Sequence, residues 1–258
     1  MDKPSIVPDK LKNPINFKIL ILIGLAGIGI QFSLLNLSEE DSGNLALSIS
    51  LSSTLAVAIT SFYISKRYAL TKVFGIAYLG YGIGYACYFL GELLYYIFSF
   101  YLGIDPYPSV ADVFYFLLYP FSLTYLILNI RFFQPNITKK TFVLLAIIPI
   151  VFVSVYSFEA LAELEEPNFD FFYGMIFVSA ATTTLSFSIL GVTIFKKSIL
   201  GISWLVLVIG ISINAIADTW YYFLEIFGFY YDAHPVTVLW HVASFIMVYA
   251  LYSHRKML

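Results

Sequence analysis

The sequence predicts an all-α integral membrane protein with eight transmembrane helices, arranged as two parallel four-helix repeats. Three observations carry this prediction. First, 60% of the residues are apolar and 12% are charged, with a mean hydropathy of +0.86, whereas about a quarter of the residues in soluble domains are charged. Second, the basic residues are confined to alternate connections between apolar stretches. Third, motifs of the first half of the chain recur in the second half.

Eight apolar stretches are long enough, or nearly so, to cross ~30 Å of hydrocarbon, which takes roughly 20 helical residues. They cover about 17–37, 45–65, 73–101, 113–130, 142–158, 171–195, 199–222 and 236–253. The fourth and fifth are short and would span only by including their polar ends. The first follows a polar leader and has no small-residue cleavage site after it, so we expect a retained span rather than a signal peptide.

All 14 Lys and Arg residues fall on one side of the membrane once these spans are drawn. They are Lys3, Lys10, Lys12, Lys18, Lys66, Arg67, Lys72, Arg131, Lys139, Lys140, Lys196, Lys197, Arg255 and Lys256. Acidic residues dominate the connections on the opposite side. Because basic loops stay in the cytoplasm, we expect a multi-pass protein of the cell membrane with both termini cytoplasmic.

The two halves share a hydroxyl triplet before a basic pair and a carboxylate before a tyrosine pair. The triplets Ser52, Ser53, Thr54 and Thr182, Thr183, Thr184 are separated by 130 positions, and the carboxylates Glu92 and Asp218 by 126. The predicted division is a cytoplasmic segment at 1–18, a first repeat at 19–131, a cytoplasmic linker at 132–141 and a second repeat at 142–258. Parallel repeats occur in transporters and in other membrane folds, so the repeat alone selects no function.

We predict an outward-facing polar and aromatic pocket close to the outer edge of the hydrocarbon. A helix rise of 1.5 Å per residue places both carboxylates roughly 30 Å from the inner boundary, and the triplets and His241 at about 20 Å. Ionisable residues inside a span face the bundle interior or a water-filled cavity by default. The predicted lining is Ser52, Ser53, Thr54, Glu92, Tyr95, Tyr96, Thr182, Thr183, Thr184, Asn214, Asp218, Tyr221, Tyr222 and His241.

Each of these groups also has a structural interpretation. Hydroxyl groups in spans often bond to the carbonyl groups of the preceding turn, and interfacial tyrosines form an aromatic belt. Ser109 and Asp112 have the spacing of a capping box at the start of the fourth span. For Glu92 and Asp218 two hypotheses stay open, which are twin ligand contacts and twin hydrogen bonds to the outer loops.

The glycines of the third span predict a packing seam. Gly80, Gly84, Cys87 and Gly91 follow one another at spacings that place them on one helical face. Small residues on such a face let a second helix approach closely. We therefore expect this face to contact a neighbouring helix.

Several chemistries are excluded by the residues present. A retinal Schiff base needs a lysine in the middle of a span, and two-histidine haem ligation needs a second embedded histidine besides His241. The single cysteine precludes a disulfide within the chain. A small-solute transporter and a membrane-embedded metal-dependent hydrolase remain alternatives. For the hydrolase, the metal candidates are Asp218, Glu225, His234 and His241.

Two stretches resemble the uncharacterised multi-span sensor regions that precede diguanylate cyclase or histidine kinase domains in many microbes. The first runs from Gly91 through the Asp105-Pro-Tyr-Pro-Ser109 loop to Tyr119-Pro120. The second comprises 217–222, 234–235 and 239–240. The resemblance implies an input domain that senses something at or in the membrane. No output domain follows Arg255 in this sequence, so we expect signalling through a cytoplasmic or membrane partner.

The function predicted from the sequence is therefore the binding or sensing of a small or lipid-like molecule, without catalysis. Membrane lipid is an expected partner. Nucleic acid is not, because no basic patch interrupts the apolar sequence. The residue pattern identifies no cofactor.

Overall fold

The computed structural model describes residues 15–68, 71, 73–134, 138–164, 166–196 and 201–255. Within these ranges all regular structure is helical, and eight helices are long and apolar enough to cross a membrane, as predicted. They are α1 (Phe17–Asn36), α2 (Glu39–Arg67), α3 (Phe74–Tyr96), α4 (Val110–Phe133), α5 (Lys139–Glu163), α6 (Phe169–Phe195), α7 (Ile202–Ile226) and α8 (Pro235–Arg255). A π-helical turn at Ile97–Leu102 extends α3.

Polar residues at the helix starts explain why several helices are longer than the apolar stretches. The Ser38 side chain accepts a hydrogen bond from the Asp41 backbone, so the acidic turn Glu39–Asp41 belongs to α2. Negative charge there is favourable because it faces the positive end of the helix dipole. The predicted capping box of Ser109 and Asp112 opens α4, which confirms that interpretation.

The described basic residues lie at the starts of odd-numbered helices and at the ends of even-numbered ones. Lys18, Lys139 and Lys140 lie in first turns, and Lys66, Arg67, Arg131, Lys196 and Arg255 lie in or next to last turns. Lys3, Lys10, Lys12, Lys72, Lys197 and Lys256 lie outside the described residues. Short connections between consecutive helices make them antiparallel, which brings the described basic residues to one end of the bundle.

Six of the eight described helices form a closed ring, in the order α2, α3, α4, α6, α7, α8 and back to α2. The other two lie outside this ring. Helix α1 packs mainly against α8, and α5 packs mainly against α6. The predicted glycine seam is part of the ring, since a Cβ atom on Gly84 would lie 3.4 Å from the Leu118 carbonyl oxygen of α4, and one on Gly91 would lie 2.9 Å from the Tyr115 ring.

Tyrosines of α3 occupy the core of the ring. Tyr78, Tyr81 and Tyr85 are almost completely buried, in a cluster that also contains residues of α4, α7 and α8. The hydroxyl groups of Tyr81 and Tyr85 donate to the Met247 sulfur atom of α8. Packed aromatic side chains therefore fill this part of the bundle.

Candidate functional site

Asp218 lies in the bundle with its carboxylate held by neighbouring donors. It is 8% exposed. Trp240 Nε1 of α8 donates to one carboxylate oxygen at 2.7 Å, and Asn214 Nδ2 donates to the other at 2.9 Å. The Tyr119 side chain of α4 is a further hydrogen-bond partner. This carboxylate therefore joins three helices of the ring.

Glu92 provides a second, partly buried carboxylate, and its partners differ from those of Asp218. We call the two carboxylates and their hydrogen-bond partners the polar cluster. The Ser50 hydroxyl of α2 donates to Glu92 Oε1 at 2.8 Å, and the Tyr115 side chain of α4 is a second partner. Tyr88 lies on α3 one turn before Glu92 and interacts electrostatically with both Glu92 and Asp218. The structure therefore brings the two carboxylates, predicted at matching depth, into one cluster around Tyr88.

All six hydroxyl groups of the two triplets donate to carbonyl groups of their own helices. Ser52 donates to Ser48, Ser53 and Thr54 donate to Ser50, Thr182 donates to Val178, Thr183 donates to Ser179, and Thr184 donates to Ala180. Their donor hydrogens are thus used locally, as the structural interpretation expects. Only the hydroxyl oxygen atoms, as acceptors, remain to face a cavity or a ligand.

The two tyrosine pairs occupy different environments. Tyr95 and Tyr96 are 42% and 40% exposed, as in an interfacial aromatic belt. Tyr221 packs against Tyr230 and Trp240, next to the bonded Asp218. Tyr222 packs against Phe177 of α6. The second pair therefore lies beside the polar cluster, and the first pair faces outward.

The four metal candidates do not form a metal site. Among the described residues, no group of three or more His, Cys, Asp and Glu side chains is placed to hold a metal ion. His234 instead starts α8, because its Nδ1 accepts a hydrogen bond from the Val236 backbone at 3.2 Å; burial lowers the pKa of His234 below its ordinary value. Asp218 is used by Trp240 and Asn214, and both ring nitrogens of His241 lie buried without a hydrogen-bond partner.

The expectation that His241 is the only embedded histidine is wrong. His254, in the last turn of α8, is 0% exposed. Its Nε2 pairs with the Tyr78 hydroxyl at 2.9 Å, and its ring centroid lies 4.3 Å from that of Trp204. In the sequence, the neighbouring Arg255 predicts that His254 lies in water at the end of the span. The burial of His254 results from tertiary packing against aromatic side chains of α3 and α7, which the sequence does not reveal.

Hydrogen bonds between the first and second halves of the chain join the helices at the end of the bundle opposite the basic residues. The Tyr107 hydroxyl, in the loop before α4, donates to Asp170 at 2.7 Å, and the Tyr173 hydroxyl of α6 donates to Asp112 at 2.8 Å. Desolvation, reinforced by Asp170, raises the pKa of Tyr107 above its ordinary value. The phenol therefore stays protonated and continues to donate at neutral pH.

The space beside Asp218 is small. A cavity of ≈ 10 Å³ is lined by Tyr85, Leu118, Tyr119, Ser122, Thr184, Ile211, Asn214, Ala215 and Asp218. This volume is about that of one water-sized sphere. In the conformation described, the polar cluster has room for a water molecule or a single ion and not for an organic molecule.

A larger groove lies between α1, α2 and α8. Its volume is ≈ 420 Å³. Its lining consists of Ile23, Ser52, Ser53, Ala56, Phe245, Val248, Tyr249 and Tyr252. Two residues of the predicted pocket, Ser52 and Ser53, thus lie on this groove rather than beside the carboxylates. Sequence reasoning missed the α8 side of the groove because nothing in the sequence indicates where α1 packs.

The groove exists because α1 packs mainly against α8 and makes few contacts with α2. Gly27 of α1 allows this approach, since a Cβ atom there would lie only 2.5 Å from the Val242 side chain of α8. In the other half, α5 lies directly against α6. The Tyr156 hydroxyl covers Gly174, and Ser186 donates to the Leu145 carbonyl at 2.8 Å. The groove is therefore a feature of the α1 side.

Comparison with protein-family models, curated proteins and solved structures finds no match to this chain.

Proposed function

We propose that this chain is a multi-pass protein of the cell membrane that binds a lipid-like molecule in the groove between α1, α2 and α8, without catalysis. The groove itself carries the proposal. Its volume of ≈ 420 Å³ lies within the range of about 300 to 1,000 Å³ that is usual for small-molecule sites. The polar cluster at Glu92 and Asp218 offers no comparable space.

The lining of the groove favours an apolar chain. Ile23, Phe245 and Val248 provide apolar surface, and the Ser52 and Ser53 hydroxyls already donate to their own helix. A bound chain therefore leaves no buried donor unsatisfied, which would otherwise cost about 1 to 3 kcal/mol per group. The groove lies within three apolar helices, so a lipid can enter it from the side.

The position of the exposed Lys18 indicates how a lipid would be oriented in the groove. It lies in the first turn of α1, five positions before Ile23, which is about 8 Å along a helix. Tyr252 lies at the α8 end of the lining, in the last turns before Arg255. A lipid with its chain in the groove would have its head group near Lys18, and we infer an acidic or polar head group.

We infer that both termini are cytoplasmic and that the chain consists of two parallel repeats. The helix neighbours support the repeat. Exchanging α1–α4 with α5–α8 converts the contact between α2 and α8 into the contact between α6 and α4, and both contacts occur. The two helices outside the ring differ, since α1 packs mainly against α8 whereas α5 packs mainly against α6. The ligand groove is the consequence of that difference.

A sensing role follows from the position of the groove. It joins α1 and α2 of the first half to α8 of the second. Helix α8 also carries Met247 and Trp240, which contact the tyrosine core and Asp218. We propose that occupancy of the groove shifts α8 and is read by a cytoplasmic or membrane partner, in line with the sensor-region resemblance.

The test is retention of lipid by the purified full-length chain. After exhaustive detergent exchange, extraction and mass spectrometry should recover roughly one defined lipid-like molecule per chain, as a pocket of this size predicts. Ala56→Phe fills the groove and should abolish retention. Leu55→Phe adds the same ring at the neighbouring, exposed position and should leave retention unchanged. Equal retention in both variants would refute the proposal.

A further inference from the structure

The small cavity beside Asp218 is lined by oxygen atoms, and one of them has no partner. Asn214 is 5% exposed, and its Oδ1 is buried without a hydrogen bond. Asn214 Nδ2 donates to Asp218 at 2.9 Å, which fixes the orientation of the amide. The reverse orientation would set two acceptor oxygens against each other. Asn214 is one of the lining residues of the cavity, and its carbonyl oxygen is the atom left without a partner.

The other oxygen atoms of the lining are also available as acceptors. Thr184 donates its hydrogen to the Ala180 carbonyl at 2.9 Å, so its oxygen keeps lone pairs for the cavity. Ser122 of α4 and the Tyr119 and Tyr85 hydroxyls complete the polar part of the lining. Four helices thus contribute oxygen atoms around a space of ≈ 10 Å³.

Asp218 lacks a positively charged partner within this cluster. Its partners are an indole N–H, a carboxamide and a phenol, all of which are neutral. A carboxylate in a membrane span is costly unless it is paired. A buried carboxylate is tolerated in proteins when it is protonated, paired with a positive charge or bound to a metal ion. A cation in the adjacent cavity would supply that pairing.

We propose that this cavity binds a single dehydrated sodium ion, with Asp218 and the Asn214 Oδ1 atom as its principal ligands. Oxygen ligands of carboxylate and carbonyl type suit hard cations, and carbonyl oxygens, there from unwound backbone, coordinate Na⁺ in membrane transporters. The absence of sulfur and imidazole from the lining disfavours zinc and copper. One carboxylate balances one charge, and Mg²⁺ dehydrates reluctantly, so a monovalent ion fits better than a divalent one.

This site is independent of the lipid groove. The cavity lies among α3, α4, α6 and α7, whereas the groove lies among α1, α2 and α8. The two share no lining residue. Sodium binding would instead join the two halves of the ring, because Ser122 and Tyr119 come from α4 and Thr184 comes from α6.

The experiment is thermal unfolding of the purified full-length chain in detergent, with NaCl replacing choline chloride at constant ionic strength. We expect the melting temperature to rise with Na⁺ and to saturate, since a ligand that binds only the folded state stabilises it by mass action. KCl is the size control and should give a smaller shift. An unchanged melting temperature in NaCl and choline chloride would overturn the proposal and leave water or a proton as the occupant.

Variants assign the response to the cavity. Asp218→Asn should remove the sodium-dependent shift. Asn214→Ala retains the carboxylate and should raise the half-saturating Na⁺ concentration by at least the ~10-fold that loss of a supporting ligand group costs a metal site. Glu92→Gln changes a carboxylate of the same cluster outside the cavity and should respond like wild type. A full response in Asn214→Ala, or its loss in Glu92→Gln, would contradict the assignment.

Discussion

The Trp240 indole of α8 donates to the Asp218 carboxylate of α7 at 2.7 Å. This hydrogen bond joins two helices of the ring towards the end opposite the basic residues. Glu92 of α3 accepts from Ser50 of α2 and has Tyr115 of α4 as a second partner. Asp218 likewise has Tyr119 of α4 as a further partner. Each carboxylate therefore links its own helix to α4 and to one other helix of the ring.

Replacing Asp218 by Asn should destabilise the protein more than replacing Glu92 by Gln. Asp218 accepts from both Trp240 and Asn214, and an amide can accept at only one of its two ends. The other donor is left poorly paired, at a cost of about 1 to 3 kcal/mol. Glu92 also has two partners, Ser50 and Tyr115, but it is partly exposed, so water can pair with the donor that Gln leaves free. Thermal unfolding in one detergent without sodium checks this; equal losses would contradict it.

Gly174→Ala should destabilise the contact between α5 and α6. The Tyr156 hydroxyl lies where a Cβ atom would be placed on Gly174. Overpacking of this kind costs roughly 1 to 3 kcal/mol. Gly24→Ala is the matched control, because a Cβ atom there meets nothing within 4 Å, and removal of a helical glycine should stabilise. The melting temperatures of the two variants should therefore move in opposite directions.

Asp232→Asn should stabilise the protein at neutral pH. Burial, reinforced by Glu39, raises the pKa of Asp232 above its ordinary 3.8. The folded state therefore binds this proton more tightly than the unfolded state, and stability is lost as pH rises from about 3.8 through the folded-state value. The variant has no such loss.

Melting temperatures at pH 7 and pH 4 measure the effect of Asp232→Asn. The difference between variant and wild type should shrink towards pH 4. The exposed Glu166, in the connection between α5 and α6, gives Glu166→Gln as the control for a general change in charge. A constant difference at both pH values would show that Asp232 acts through packing rather than through its charge.

Labelling of single cysteines should place the basic loops inside the cell. In a Cys87→Ala background, a cysteine in place of Asp105 should react with an impermeant maleimide on intact cells. One in place of Lys139 should react only after permeabilisation, because basic loops stay cytoplasmic. Reaction of position 139 on intact cells would overturn the orientation. Glu165, a second position expected outside, lies beyond the described residues.

The eight spans could be predicted because helix length and apolar composition suffice to identify them. The start of α2 was placed too late, since the acidic turn at Glu39 is helical only because Ser38 caps it. The partners of Asp218 could not be read from the sequence, because Trp240 reaches it through the packing of α8 on α7. From the sequence, the hydroxyl triplets could line a pocket or bond to their own helices. In the structure, the hydroxyl groups donate to carbonyl groups about one turn away on the same helix.

The groove was out of reach of sequence reasoning for a different reason. Helix α1 is apolar on every face and mostly exposed, so no stripe indicates which neighbour it contacts. The packing of α1 on α8 depends on Gly27 and on the side chains of Val238 and Val242. The space that remains beside α2 then becomes the groove. A groove of this kind follows from helix packing rather than from a motif.

Photo-crosslinking in the membrane tests the central claim most directly. A small diazirine-bearing aliphatic residue replaces Val248, which lines the groove, and in a matched control it replaces Val155, which is exposed on α5. After irradiation, intact-protein mass spectrometry should show one dominant adduct of defined mass at position 248. At position 155 it should show a mixture that follows bulk lipid composition. The same mixture at both positions would contradict a specific ligand in the groove.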